Sequence, residues 1–419
     1  MIQPETQTPP RICVLGGGFG GLYTALNLTQ FPWETTPKPE IVLVDQRDRF
    51  VFLPLLYELL TGELETWEIA PPFTELLADT GIQFHQQAVS RIDLEAKTVY
   101  FSQTDSLVSS LASDALTYDY LVLALGGETP MDIVPGAADH AIPFRTIADA
   151  YQVEERLRSL EQSDQEKIRV AVVGGGYSGV ELACKLAERL GDRGRLRIIE
   201  MGDQILRTST DFNRGAARKA LSDRQVWLDL ETRVAKIEAD AITLVYRDQD
   251  DVLPVDLVLW TVGTKVADVI TQLPLAKSDR GQLKVNTKLQ VLEYPHIFAL
   301  GDLAESFDAT GQRVPTTAQS TFQQAQFAAW NIWATAGNEQ GHGGTERPLL
   351  PFRYQHLGEM MALGLDNATL TGLGITLDGP LAHVARRLAY LYRMPTLDHQ
   401  IKVGLNWIAK PVRDLLSVG

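Results

Sequence analysis

Cysteine is almost absent from this chain of 419 residues: Cys13 and Cys184 are too few for a disulfide framework or a four-ligand zinc site. So low a count points to a reducing compartment, and no metal site is expected. Positive charge is also short, with 38 Lys and Arg against 53 Asp and Glu and a formal net charge of -15. Such a surface repels phosphate backbones, which excludes nucleic acid as an expected partner. No uninterrupted apolar run reaches the length of about 18 residues that a spanning helix needs. The opening MIQPETQTPP lacks the basic start and apolar stretch of a secretory signal. What remains is the composition of a soluble globular protein, 45% hydrophobic and 22% charged. At roughly 150 residues per domain, the length suggests about two or three domains.

Short β-rich runs recur at Ile12 to Leu15, Ile41 to Val44, Leu121 to Leu125, Val170 to Val173, Leu196 to Ile199, Leu257 to Trp260 and Ile297 to Leu300. Continuous apolar runs of this length, separated by helical patterns, suit strands buried on both faces of a parallel sheet, so the class is α/β. Two stretches repeat one another, ICVLGGGFGGLYTAL at 12–26 and VAVVGGGYSGVELACKL at 170–186. Turn- and linker-like composition at Glu128 to Gly136, Pro274 to Gly281 and Asn338 to Pro348 marks expected boundaries. Residues 1–145 and 276–345 are expected to form one domain in two parts, residues 146–275 a second, and residues 346–419 a separate C-terminal segment.

In the first copy Gly16, Gly18 and Gly21 fit G-x-G-x-x-G, directly after a strand and before a helix expected to begin near Leu22. Glycine lets the backbone turn sharply and approach a pyrophosphate, whose charge the N–H groups at the helix start then stabilise. Asp45 ends the next strand, where it can accept from a ribose hydroxyl. The second copy offers Gly174, Gly176 and Gly179, with Glu200 closing LRIIE. One such turn is weak evidence of a cofactor; two in register, each with its terminal acid, point to two Rossmann-like domains and two dinucleotides. Enzymes built this way commonly hold one as a flavin and exchange the other as a nicotinamide.

The strands YDYLVLALGG at 118–127 and HIFALGD at 296–302 resemble two further signatures of the two-dinucleotide-domain flavoprotein reductases. The resemblance implies FAD at the first turn, against Gly16, Gly18, Phe19, Gly20, Gly21, Asp45, Gly126 and Asp302. It implies NAD(P)H at the second, against Gly174, Gly176, Tyr177, Gly179, Glu200 and Gly263. A flavin reductase of disulfides, or one that oxidises sulfide, needs a redox-active cysteine pair. Cys13 inside a strand and Cys184 inside a helix supply none.

Residues 315–327 read PTTAQSTFQQAQF. With Thr316 or Thr317 as N-cap, Gln319 and Gln323 share one helix face, which by itself suits a solvated surface. Following IFALGD, the block Ala318-Gln319 with Gln323-Gln324 is similar to the AQ-x3-QQ signature of the type II NAD(P)H:quinone oxidoreductases. In that family the glutamines border the quinone beside the isoalloxazine, so Ala318 and Gln319 are implied at FAD and Gln319 and Gln323 at the quinone. The likeness extends through Phe52 to Tyr57, Gly179 to Ala183, Trp260 to Gly263 and Pro351 to Tyr354 with Gly358. Its closing runs GEMMALGLDNA and RRLAYLYRMPT look most like the cyanobacterial and plastid branch, which is linked to prenyl-naphthoquinones and plastoquinone. The same resemblance implies that Glu181 assists proton delivery; a carboxylate in the first turn of a helix is also stabilised by the helix dipole alone.

From Pro380 to Met394, Leu381, Val384, Ala385, Leu388, Leu391 and Tyr392 recur at helical spacing, with Arg386, Arg387 and Arg393 elsewhere on the helix. A C-terminal amphipathic helical segment of this kind suits anionic lipid headgroups, with Trp407 and Ile408 as an interfacial anchor before a helix-interrupting Pro411. It equally suits the protein's own core or a homodimer contact. The reading as a whole is an FAD-containing NAD(P)H:quinone oxidoreductase, peripheral on the cytoplasmic side of a plasma or thylakoid membrane and not pumping protons. Its alternatives are a reductase of a ferredoxin-like carrier and a redox-sensing flavoprotein.

Overall fold

Strand Arg11–Leu15, fully buried from Ile12 to Leu15, lies in parallel register between Glu40–Asp45 and Tyr120–Leu123. Apolar side chains on both faces of this run suit the centre of a sheet covered on each side. The computed structural model describes residues 9–34, 37–102, 114–339 and 346–417, with side chains up to Lys410. The joint expected at Asn338 to Pro348 falls largely outside them.

The chain forms two compact units, one of residues 1–50, 71–128 and 264–355, the other of residues 51–70, 129–263 and 356–419. In the first, a six-stranded sheet runs Gln290–Val291, Tyr294–Ala299, Tyr120–Leu123, Arg11–Leu15, Glu40–Asp45, Gln83–Gln86, parallel except for its first pair. Helices Phe19–Thr29 and Ala318–Glu339 pack together through aromatic rings, with Phe322 at 5.0 Å from Phe19 and 4.2 Å from Tyr23 between centroids.

In the second unit, the sheet order is Trp227–Asp229, Gly194–Ile199, Ile168–Val173, Leu257–Trp260, Ala141–Pro143, parallel throughout. Its core gathers Ala171, Val173, Ile199, Val258 and Trp260 against Ile242 and Leu244 of an antiparallel sheet over residues 232–254. A further antiparallel sheet, Glu359–Ala362, Ala368–Gly372 and Ile375–Asp378, precedes helices Gly379–Tyr392 and Leu397–Ser417.

All seven expected runs fall on strands, two of which end early, at Leu123 and Ala299, and two expectations about helix ends are corrected. The first helix starts at Phe19, ahead of Leu22, because Gly20 and Gly21 lie inside it; a side chain at Gly21 would collide with the Gly16 carbonyl. The last helix continues through Pro411, whose missing N–H removes one internal hydrogen bond without ending the helix.

Candidate dinucleotide and quinone sites

Gly16 has φ +102° and Gly174 φ +111°, a backbone open to glycine and strained for other residues, and each turn feeds directly into its helix. The helix N-caps Gly18 and Gly176 make no side-chain cap, and a Cβ built on either meets nothing within 4 Å. Bare N–H groups at a helix start facing open space are what a pyrophosphate requires. Gly179 sits so close beneath Gly174 that a side chain there would strike the Gly174 carbonyl, as at Gly21 below Gly16. Phe19 and Tyr177 are the first residues of their helices.

The two strand-ending acids do the same work. Asp45 accepts from the Gly17 N–H at 2.6 Å and from the Arg47 N–H at 2.8 Å. Glu200 accepts from the Gly175 N–H at 2.8 Å and the Gly202 N–H at 2.7 Å. Each carboxylate pins the middle of its glycine turn to the end of the neighbouring strand, and each oxygen keeps a second lone pair for a ribose hydroxyl. Of the arginines beside Glu200 in sequence, Arg197 pairs with Asp229 at 3.1 Å and stacks over Trp227, whereas Arg207 lies over Gly202 and is mostly exposed. Gly126 and Gly263 both have positive φ; Gly126 is open to space and Gly263 is backed by Pro130.

In the first unit Asp302 occupies the short helical turn Gly301–Leu303, and its carbonyl accepts from Gln282 Nε2 at 2.8 Å. The Gly301 N–H donates to Gln324 Oε1 at 2.9 Å, and Gln324 Nε2 donates to Ser306 Oγ at 2.8 Å. Gln324 thereby fixes the turn that carries Asp302. Helix Ala318–Glu339 starts behind Thr317, whose Oγ1 accepts from the Ser320 N–H at 3.3 Å. Gln319 and Gln323 share a face, as expected, and both are half-buried and engaged. Gln319 Oε1 accepts from the Tyr354 hydroxyl at 2.8 Å, and the Gln323 amide exchanges two bonds with the Gln355 backbone at 2.8 and 2.9 Å. Together they clasp the stretch ending at Gln355 onto the helix.

Glu181 departs from expectation. Helix Tyr177–Leu190 begins early enough to place it in the second turn, away from the dipole's end, and it is buried. It accepts from the Ala362 N–H at 2.7 Å and lies 3.5 Å from Arg386. Burial raises its pKa; Arg386 and the Ala362 bond pull it back, leaving it at about 7. Around it, Arg386 pairs with Glu58 at 2.5 Å, Arg387 bridges Glu58 at 2.7 Å and Glu63 at 3.2 Å, and Lys185 pairs with Glu63. Burial penalises the Glu58 charge, but Arg386, Arg387 and Lys185 outweigh it and hold the carboxyl well below its usual range.

This cluster corrects the expectation for the C-terminal segment. Arg386 and Arg387 turn inward to these acids and are not offered to lipid headgroups, and Trp407 is half-buried with its indole N–H on Glu68 at 2.8 Å. The outward side chains include two apolar rows, Leu381, Val384, Leu388 and Tyr392 on one helix and Leu397, Ile401, Leu405 and Ile408 on the next, with the exposed ion pair of Asp398 and Lys402 beside the second. No described helix is long and apolar enough to cross a membrane, and no described group of His, Cys, Asp and Glu could hold a metal ion.

A family model for pyridine nucleotide-disulphide oxidoreductases matches residues 10–328. The chain is 57% identical to a demethylphylloquinone reductase of Synechocystis sp., over 98% of its own length and 99% of the relative's. It is 45% identical to the alternative NAD(P)H-ubiquinone oxidoreductase C1 of Arabidopsis thaliana, over 98% of this chain and 82% of that one. The chain belongs to the type II NAD(P)H:quinone oxidoreductases of the pyridine nucleotide-disulphide oxidoreductase family. A solved structure of NDH2 from Plasmodium falciparum in complex with NADH shares the fold, with a TM-score of 0.81 over 96% of this chain and 98% of that one at 17% identity.

This type II oxidoreductase has no disulfide chemistry of its own despite the wider family's name. Cys13 and Cys184 are fully buried; desolvation raises both thiols, Cys184 to about 12, so neither forms a thiolate near neutral pH. Sequence reasoning quoted Gln324 and Tyr354 within family-like blocks but gave them no role of their own, and it passed over Glu58 and Lys185. Gln324 stood next to a residue already singled out, and Lys185 stands four residues after Glu181 on the same helix face, a spacing that pairs opposite charges. Glu58 carries no local signal, because its partners lie more than 300 residues further along the chain.

Proposed function

We propose that this enzyme binds FAD at the Gly16 turn and NAD(P)H at the Gly174 turn and passes two electrons to a membrane quinone without pumping protons. The observation that carries the reading is the pair of open glycine cradles, each braced by a strand-ending acid, in a chain with no redox cysteine pair. Bound FAD would supply the two-electron carrier between nicotinamide and quinone. The protein's own residues do the rest. Gly16, Gly18, Gly20 and Gly21 leave room for the flavin pyrophosphate, Asp45 takes a ribose hydroxyl, and Asp302, steadied through Gln324, faces the flavin's ribityl-phosphate part.

Gln319 and Gln323 border the quinone, with Tyr354 orienting the Gln319 amide. Reducing a quinone consumes two protons, and the raised pKa of Glu181, about 7, supports it as a donor of one. At the nicotinamide cradle, Glu200 is held by two backbone N–H groups, so a charge stands where the 2′-phosphate of NADPH would come; NADH is the favoured donor, with Arg207 the group able to soften that preference. The relatives named for demethylphylloquinone and ubiquinone support a prenylated quinone as acceptor. Such an acceptor lives in a bilayer. The exposed apolar rows of the two C-terminal helices support a peripheral position on it or a homodimer contact.

The deciding assay is oxidation of NADH and NADPH by FAD-loaded protein with benzo- and naphthoquinones. Direct, rapid quinone reduction is expected. A requirement for an added ferredoxin-like carrier would replace the quinone reading, and tight NAD(P)H binding with negligible turnover would make the protein a redox sensor.

A further inference from the structure

The antiparallel strands Ala368–Gly372 and Ile375–Asp378 are joined by two residues, Leu373 and Gly374, with Gly372 opposite Ile375. Both loop residues have positive φ, Leu373 at +53° and Gly374 at +79°. A two-residue hairpin of this kind is served best by Asn-Gly, since asparagine tolerates the left-handed region that a leucine side chain crowds. Leu373 is also 80% exposed, and its neighbour Ile375 is 52% exposed. The residue is therefore unfavourable twice over, in conformation and in solvation, and folding explains neither. The strand that leaves this tip runs straight into helix Gly379–Tyr392, whose exposed row opens at Leu381, and that helix packs on the hairpin.

We propose that the Leu373 hairpin tip is a third lipid-inserting element, entering the acyl region of the bilayer beside the two C-terminal helices. The proposal rests on the peripheral-membrane reading above and adds to it a site no helical periodicity would reveal. Continuity along the chain with the exposed helix rows favours lipid as the occupant: three successive elements of one short stretch present apolar side chains to solvent, and a broad fluid apolar phase takes up a hairpin tip and two helix faces alike. The tip needs no headgroup pairing, which agrees with the inward pairing of Arg386 and Arg387.

The test compares FAD-loaded wild type with Leu373→Asn for binding to phosphatidylcholine vesicles with and without phosphatidylglycerol. Leu373→Asn is expected to weaken vesicle binding by about tenfold while raising the midpoint of thermal unfolding by about 1–2 °C, since it relieves the turn. Opposite signs in the two readouts mark a residue kept for contact and not for folding. A second variant, Leu373→Cys labelled with a bimane, should be quenched by brominated lipids; the buried native cysteines do not compete for label. Vesicle binding by the wild type that Leu373→Asn leaves unchanged, with an unquenched label, would overturn the hairpin and keep the helices. Absence of wild-type binding would overturn the membrane reading itself. A change of oligomeric state in Leu373→Asn, with unchanged vesicle binding, would assign the tip to a second copy of the chain and overturn the lipid proposal.

Discussion

Glu200 is the side chain on which cofactor choice is expected to turn at the proposed nicotinamide cradle. Its two oxygens accept from Gly175 and Gly202, so the carboxylate cannot rotate away without giving up two charge-assisted bonds. A 2′-phosphate brought to about 4 Å at an effective dielectric near 20 would meet a few kcal/mol of repulsion. Glu200→Gln is expected to improve the NADPH to NADH ratio of kcat/KM by at least about tenfold, roughly 1.4 kcal/mol. It should also lower kcat/KM for both donors, because a glutamine amide presents an N–H to one of the two backbone donors and loosens the turn. Steady-state kinetics with each donor measure both effects; an unaltered ratio would move the discrimination to Arg207. The position of Glu200 was legible in the sequence because it ends a strand at fixed spacing from a glycine turn. Its grip on the turn was not, since a hydrogen bond to the middle glycine leaves no pattern in residue type. Gln324 is the same case: its neighbour Gln323 drew attention by spacing, while the bond from the Gly301 N–H depends on how a helix meets a strand end.

Among the elements, helix Gly379–Tyr392 owes its place to the acids it covers. Arg386 and Glu58 are wholly buried, and removing one partner of such a pair costs about 3–5 kcal/mol because the other charge is left uncompensated. Arg386→Met is expected to lose about that much stability, and Glu58→Gln in the same chain should restore part of it. Glu181 adds a pH dependence of definite sign. Burial raises its folded-state pKa from 4.5 to about 7, so the stability it contributes is complete below pH 4.5 and lost as the pH rises through about 7. Glu58, with its folded pKa held low, acts in the opposite sense and only on acidification. Denaturant midpoints of FAD-loaded protein between pH 5 and 7, to roughly a tenth of the denaturant range, should therefore fall for wild type and stay level for Glu181→Gln. A wild-type midpoint that runs parallel to that of Glu181→Gln over this window would show that Glu181 is ionised throughout. The helix itself was readable from its periodicity. Which face turned inward was not, because arginine on a polar face looks the same whether it meets solvent or acids from residues 58 and 63.

At the scale of the whole molecule, the proposed peripheral position would draw on the exposed apolar side chains of the two C-terminal helices, in a chain of net charge -15. With Arg386 and Arg387 engaged inside, the segment offers less charge to anionic headgroups than its basic sequence suggested, and on the proposed reading burial of leucine and isoleucine would supply the attachment. Leu388, Leu397, Ile401 and Leu405 are already more than half exposed, so changing all of them to serine removes little from the folded core. The fourfold variant is expected to keep its fold and its rate with short-chain soluble quinones, to leave membranes on flotation, and to raise KM for long-tailed quinones by about tenfold or more. Deleting the whole segment would not test this, because it would also remove Arg386 and expose Glu58 and Glu181 in the interior. If the serine variant floats with vesicles as the wild type does, and uses long-tailed quinones equally well, the exposed rows belong to a protein interface. A shift of the variant from dimer to monomer in light scattering would then identify that interface as a second copy of the chain.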